Sequence, residues 1–252
     1  MSALSGIGTI TKDSEGVTAS RIIRRTRLFY VVLAVFMVAI MLIGFWPSYF
    51  GPLLRGAAVR PLVIHVHGSV FVGWMALLLA QVILVAAGRT ATHRMVGSIG
   101  IAYGGLVVIM GLVVGFAAPI MHLAAGEWNL QQAAGFILII LGDMALFGGF
   151  FAAAVVYRRK PEVHKRLMLL ATVALLFAAV GRMNIFETPL LFLGVWLSPV
   201  LAGMAYDVVT RRRVHPAYII GLGVLLIGFS RVLFTESDAW QRIGRSLLAA
   251  FS

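Results

Sequence analysis

Seven runs of about twenty mostly apolar residues fill most of this chain: roughly 28–46, 61–87, 97–121, 133–157, 167–186, 189–209 and 216–234. A helical run of that length matches the hydrocarbon core of a bilayer. Inside lipid every backbone N–H and C=O needs an internal partner, which a helix supplies along its own length. The pattern therefore predicts an all-α, polytopic membrane helix bundle of about seven transmembrane helices. Only a tight turn at Glu187, Thr188 and Pro189 separates the fifth and sixth runs. Composition agrees, since 61% of the 252 residues are hydrophobic and 12% are charged. In water such a chain exposes more apolar surface than a folded monomer carries.

The charge distribution sets an expected orientation. Fifteen Lys and Arg fall in the N-terminal tail and in alternate loops on one side. The other six are Arg55, Arg60, Arg182, Arg231, Arg242 and Arg245. By the positive-inside rule the N-terminus is cytoplasmic and the C-terminus is outside. The net charge of +12 is thus a topology signal, and no soluble basic face exists to bind nucleic acid. Residues 1–27 form the cytoplasmic tail, 28–234 the seven-helix domain and 235–252 an amphipathic tail along the outer interface. The start imitates a signal peptide, but its apolar run is too long and no small-residue cleavage site follows, so it is read as an uncleaved first span. The expected location is the inner membrane of a bacterial cell, with the lipid bilayer as the first partner. Trp46, Trp128, Trp196 and Trp240 are expected as interfacial anchors. With no cysteine, disulfides and thiolate-held clusters are excluded.

In the third run Gly97, Gly100, Gly104, Gly111 and Gly115 recur at steps of three, four or seven, forming one small-residue stripe. Close helix packing is the expected use of that stripe. Gly142, Gly148 and Gly149 give a weaker version in the fourth run.

Ionisable residues inside lipid are costly and carry the functional signal. Measured from the outer ends of their helices, His67 lies about 9 Å deep, Asp143 about 15 Å and Arg182 about 6 Å. The expectation is an outer-half polar cluster in which Asp143 pairs with Arg182 beside His67. In the stretch "VIHVHGSV", a helix sends His65 and His67 about 200° apart, so the two do not chelate together. His67, Trp74, Gln81 and Gly88 repeat every seven residues and define an inward stripe, with Gln81 counted among the buried polar groups. His164 and Arg182, eighteen residues apart, share one face of the fifth helix.

His93 and His164 begin two different spans on the cytoplasmic side. Two histidines at matched depth on separate helices are what a bis-imidazole haem or a metal requires. His67 is about 39 Å of helix away from His93 and belongs to a different site. His122 and His215 fall in loops.

"HGSVFVGWMALLLAQVILVAAGRTATHRMVG" followed by "YRRKPEVHKRLMLLATVALLFAAVGRM" resembles a family of bacterial multi-span membrane proteins of unknown function. The matching positions are His67, Gln81, Arg89, His93, Arg94, Gly97, His164, Lys165, Arg166, Met168 and Arg182, within the second to fifth spans. The histidine layout is also loosely similar to di-haem membrane cytochromes of the b561 kind. Those carry two histidines on each side, whereas here the outer side offers His67 without an equally deep partner. The resemblance therefore implies at most one haem.

Three functions follow from these readings. The first is a b-type haem protein of electron transfer, with His93 and His164 as axial ligands and a redox partner or membrane complex. The second is a small transporter or proton-coupled permease, with His67, Asp143 and Arg182 as its buried polar centre. The third is a non-catalytic assembly factor. A retinal protein is excluded by the absence of lysine from the last span. No Gly-x-Ser-x-Gly elbow, H-E-x-x-H or P-loop supports a hydrolase or nucleotide enzyme.

Overall fold

The computed structural model describes residues 5–57 and 60–251, with side chains from Ile23 onward, so most of the expected N-terminal tail lies outside the described side chains. Among these residues there are helices and connecting turns and no strand. The helices are α1 (Ser5–Phe45), the short α2 (Gly51–Leu54), α3 (Leu62–Ala86), α4 (Thr90–Ala124), α5 (Leu130–Val156), α6 (Pro161–Gly181), α7 (Pro189–Arg211), α8 (Pro216–Phe229) and α9 (Asp238–Phe251). Seven helical stretches are long and apolar enough to cross a membrane: Ile23–Leu54, Leu62–Ala86, Thr90–Ala124, Leu130–Arg159, Pro161–Met183, Pro189–Arg211 and Pro216–Phe234. The chain is an all-α polytopic membrane bundle.

Local chemistry sets the helix boundaries. Proline opens α6, α7 and α8, where its missing N–H has no helical partner to lose. Asn129 and Gln132 form a reciprocal capping box at the start of α5, at 2.9 Å in each direction. Gly88 takes a left-handed φ of +76° in the turn between α3 and α4, a conformation a side chain disfavours.

Helix α6 is the centre of the bundle. Two thirds of the residues in its apolar window are buried, against a third or fewer in every other span. It packs on α1, α5, α7 and α8. The small and branched run Ala171, Thr172, Val173 and Ala174 presents little bulk in any direction, so neighbours close in from all sides. At Gly44 of α1 a β-carbon would stand 2.1 Å from the Ala179 carbonyl oxygen, so the two backbones meet there and only glycine fits.

The glycine stripe of α4 packs as its spacing predicts. β-Carbons at Gly104, Gly111 and Gly115 would collide with Phe151, Met144 and Ile140 of α5, at 2.2, 2.1 and 2.5 Å. Trp196 departs from the interfacial expectation. It is fully buried, two turns into α7, and donates its indole N–H to the Val173 carbonyl at 2.8 Å. Phe177, Phe192 and Phe229 surround it, and the core they build holds the ring inside. Trp46 is exposed, and Trp128 stacks on His122. The tail helix α9 buries Gln241, Gly244 and Leu248 against α5, while Trp240 donates to the Ala134 carbonyl.

Candidate functional site

His93 occupies the first turn of α4 and His164 the first turn of α6. The α3–α4 turn and the short 3-10 turn Tyr157–Arg159 bring these two helix starts to the same end of the bundle. Their imidazole centroids are 6.5 Å apart, with ring planes at 76°. His164 Nδ1 lies 2.8 Å from the Ala154 carbonyl in the last turn of α5. A carbonyl only accepts, so Nδ1 carries the proton and Nε2 carries the lone pair. His93 Nδ1 is buried without a hydrogen-bond partner, as is Gln81 Oε1. Gln81 belongs to the same place: its amide nitrogen is 3.2 Å from where a β-carbon on Gly97 would stand, one turn along α4 from His93. Buried polar atoms left without partners are rare and call for an explanation.

The second polar group at this end is fully paired. Arg166 is buried and forms an ion pair with Asp207 of α7, also buried. Its Nε donates to Asp207 Oδ2 at 3.0 Å. Its NH1 donates to the Glu162 carbonyl at 2.7 Å and to the Glu162 carboxylate at 2.8 Å. Arg211 and Lys165 complete the shell around Glu162, and the backbone N–H of His215 donates to Asp207 at 3.1 Å. The Arg166 guanidinium stands 5.2 Å over the Tyr218 ring, whose hydroxyl meets that of Tyr30 at 3.3 Å. This network ties α1, α6, α7 and α8 together with both of its carboxylates paired to cations, which marks it as a structural clamp.

Around Asp143 the pairing differs from the one expected. Asp143 is buried and its ion-pair partner is Arg231, at the end of the last span. Arg231 also donates to the Gly228 carbonyl at 2.6 Å, and its guanidinium lies 4.6 Å over the Phe177 ring. Gly142 decides this geometry, because a β-carbon there would sit 2.3 Å from Arg231 Cδ. Arg182 instead ends α6 exposed, donating to its own Ala178 carbonyl and lying 4.8 Å over Phe45. It remains within electrostatic reach of Asp143 and His67 without touching either. His67 donates from Nδ1 to the Met110 carbonyl at 3.3 Å and packs on Phe71. Gln81 is not part of this cluster, since fourteen residues of helix, about 21 Å, separate it from His67. His65 faces Tyr49, whose hydroxyl is 3.0 Å from its Nδ1.

Arg231, Asp207 and Glu162 are the polar residues that sequence reasoning passed over, and Arg166 entered it as a position of the family resemblance without its partner. Arg166 and Arg231 had been counted as topology charges. The available signal was scarcity: with nine acidic residues in the chain, each carboxylate inside an apolar run needs a specific cation. No group of three or more His, Cys, Asp or Glu capable of holding a metal occurs among the described residues, so the pair of histidines stands without a third protein ligand. No protein-family model, curated protein or solved structure matches the chain.

Proposed function

We propose that this protein is an electron-transfer protein of the bacterial inner membrane, with its N-terminus in the cytoplasm, that holds one b-type haem between His93 and His164. The observation that supports this reading is the separation of the two rings. Two imidazoles on opposite sides of one metal, each bound at about 2.0–2.1 Å, have centroids about 6.3 Å apart. The observed separation is 6.5 Å.

The second supporting feature is the way each ring is held. A ligating histidine ordinarily donates its other N–H to a carbonyl or carboxylate, which fixes the tautomer and raises the basicity of the ligating nitrogen. His164 has that arrangement through Ala154, and His93 keeps a buried nitrogen free of any protein partner. With no third His, Cys, Asp or Glu beside them among the described residues, His93 and His164 on separate helices would suit a haem better than a tetrahedral metal. Arg89 and Arg94, exposed at the same end of α4, carry positive charge suited to haem propionates. When bound, the haem supplies one-electron transfer. The chain's contribution is to fix the His164 ring through the Ala154 carbonyl. The paired state of Asp143 favours this reading over a transporter whose coupling group is Asp143.

The test is the absorbance spectrum of detergent-purified protein from haem-replete cells. A Soret band and a pyridine haemochrome are expected, lost in His93→Ala and in His164→Ala and retained in His67→Ala. A colourless wild-type preparation overturns the proposal.

A further inference from the structure

Three polar side chains from separate parts of the chain converge on one turn, at the end of the bundle opposite His93 and His164. That turn is Trp46–Phe50, where the helix of the first span widens into a π-turn. Such turns are rare and occur mostly at functional sites. Arg182, at the end of α6, lies 4.8 Å over the ring of Phe45, the residue that enters the turn. Arg60, just before α3, donates from its guanidinium to the Ser48 carbonyl at 2.9 Å. The Tyr49 hydroxyl stands 3.0 Å from His65 Nδ1. The Tyr49 ring lies 3.2 Å from where a β-carbon on Gly68 would stand, which braces the turn against α3. Ser48 Oγ is buried without a hydrogen-bond partner.

The positive charge at this turn is uncompensated. Arg60 and Arg182 are near enough to repel each other, and neither has an ion-pair partner among the described residues. The carboxylate within reach of Arg182 is that of Asp143, which Arg231 already holds. Glu187, in the turn after Arg182, forms no ion pair among the described residues. A guanidinium carries five N–H donors. Arg182 uses one on the Ala178 carbonyl and Arg60 uses one on Ser48, which leaves most of both forks to a ligand. Two like charges raise the energy of the empty site, and an anion of more than one charge placed against both reverses the sign. Paired guanidinium N–H groups also match the geometry of a phosphate oxygen pair.

We propose that Arg60 and Arg182, with the neighbouring Ser48 hydroxyl, bind a phosphate group at the π-turn of the first span. The proposal rests on the membrane-spanning fold and is independent of the histidine pair. The backbones of α1 and α6 meet at Gly44 and Ala179, beside Phe45 and Arg182, so the turn and one of its cations are held together before a ligand arrives.

The experiment is isothermal titration calorimetry of the full-length protein in detergent with inorganic phosphate, against sodium chloride at the same ionic strength. Wild type is expected to bind one phosphate. Arg60→Gln and Arg182→Gln are each expected to weaken binding roughly tenfold or more, the equivalent of one charge-assisted hydrogen bond. The double variant is expected to abolish it, and Arg242→Gln, at an exposed arginine of α9, is expected to leave it unchanged. Dioleoyl phosphatidic acid added to the micelles separates two sources of the group. Competition with inorganic phosphate identifies a lipid headgroup as the occupant, and its absence identifies a soluble phosphate. No phosphate binding by wild type overturns the proposal, as does binding that survives the double variant. So does a loss in Arg242→Gln as large as in either single variant, because the ion then responds to net charge alone.

Discussion

Arg231 reaches Asp143 through the space that Gly142 leaves open, and the two side chains neutralise each other inside the bundle. A carboxylate and a guanidinium buried this way are tolerable only together, since each alone leaves an uncompensated charge. Asp143 is set in the middle of α5 and Arg231 at the end of the last span, 88 residues apart, so the pair also fixes how those two helices meet.

Removing either partner is therefore expected to be costly. Arg231→Met or Asp143→Leu alone should lower stability by about 3–5 kcal/mol, whereas the double variant should recover most of the loss. Gly142→Ala should cost about 1–3 kcal/mol by pushing on Arg231. Arg182→Met, at an exposed helix end, should change stability far less. Thermal unfolding in detergent checks the set. A double variant as unstable as either single one contradicts the pairing.

Two adjacent glycines of α4 provide an internal control. A β-carbon on Gly104 meets the Phe151 ring at 2.2 Å, while one on Gly105 meets nothing within 4 Å. Gly104→Ala should destabilise by about 1–3 kcal/mol. Gly105→Ala should be neutral or stabilise by up to about 1 kcal/mol through helix propensity. Equal effects at the two positions would remove the argument that the glycine stripe is the α4–α5 packing face.

The Arg166–Asp207 clamp predicts a graded response. Asp207→Asn leaves Arg166 buried with its nearest charge gone and should cost about 3–5 kcal/mol. Glu162 is partly exposed, so Glu162→Gln should cost no more than about 1 kcal/mol. Chemical denaturation in a mild detergent, compared at one protein concentration, gives the order. Equal losses at the two acids would place the anchoring charge elsewhere.

His215 makes stability depend on pH. Its Nδ1 accepts the Ala217 N–H at 3.1 Å and so caps α8 in the neutral form. Burial, and then the nearby Arg166 cation, push this histidine below its ordinary value of 6.5. The unfolded chain thus takes up a proton before the folded one does. The cap's contribution is complete above pH 6.5 and falls away as the pH drops below it. Thermal midpoints between pH 5 and 8 should show a steeper acid loss in wild type than in His215→Asn, which keeps a cap that does not titrate. His215→Ala should be lower by about 1 kcal/mol at pH 8. Parallel curves for wild type and His215→Asn would count against the neutral cap.

The architecture was legible because lipid imposes it locally. Seven apolar runs of sufficient length, the small-residue stripe of α4 and the inward row of His67, Trp74 and Gln81 follow from periodicity and the cost of exposing backbone to hydrocarbon. The division of the histidines was legible too, since residue spacing along a helix keeps His65 off the face of His67 and keeps His67 far from His93. Partner choice was not. Asp143 had Arg182 at a suitable depth, yet it pairs with Arg231, because the missing side chain at Gly142 opens one direction of approach. Gln81 shares a stripe with His67 and still joins His93, since the two ends of one stripe lie at opposite ends of the bundle. Trp196 was expected at an interface and became core once α6 packed beside it. By itself the sequence determined which segments are helices and which faces turn inward, because those depend on neighbours one turn away. Only the tertiary structure decided which charge meets which, because that depends on where a distant helix leaves room.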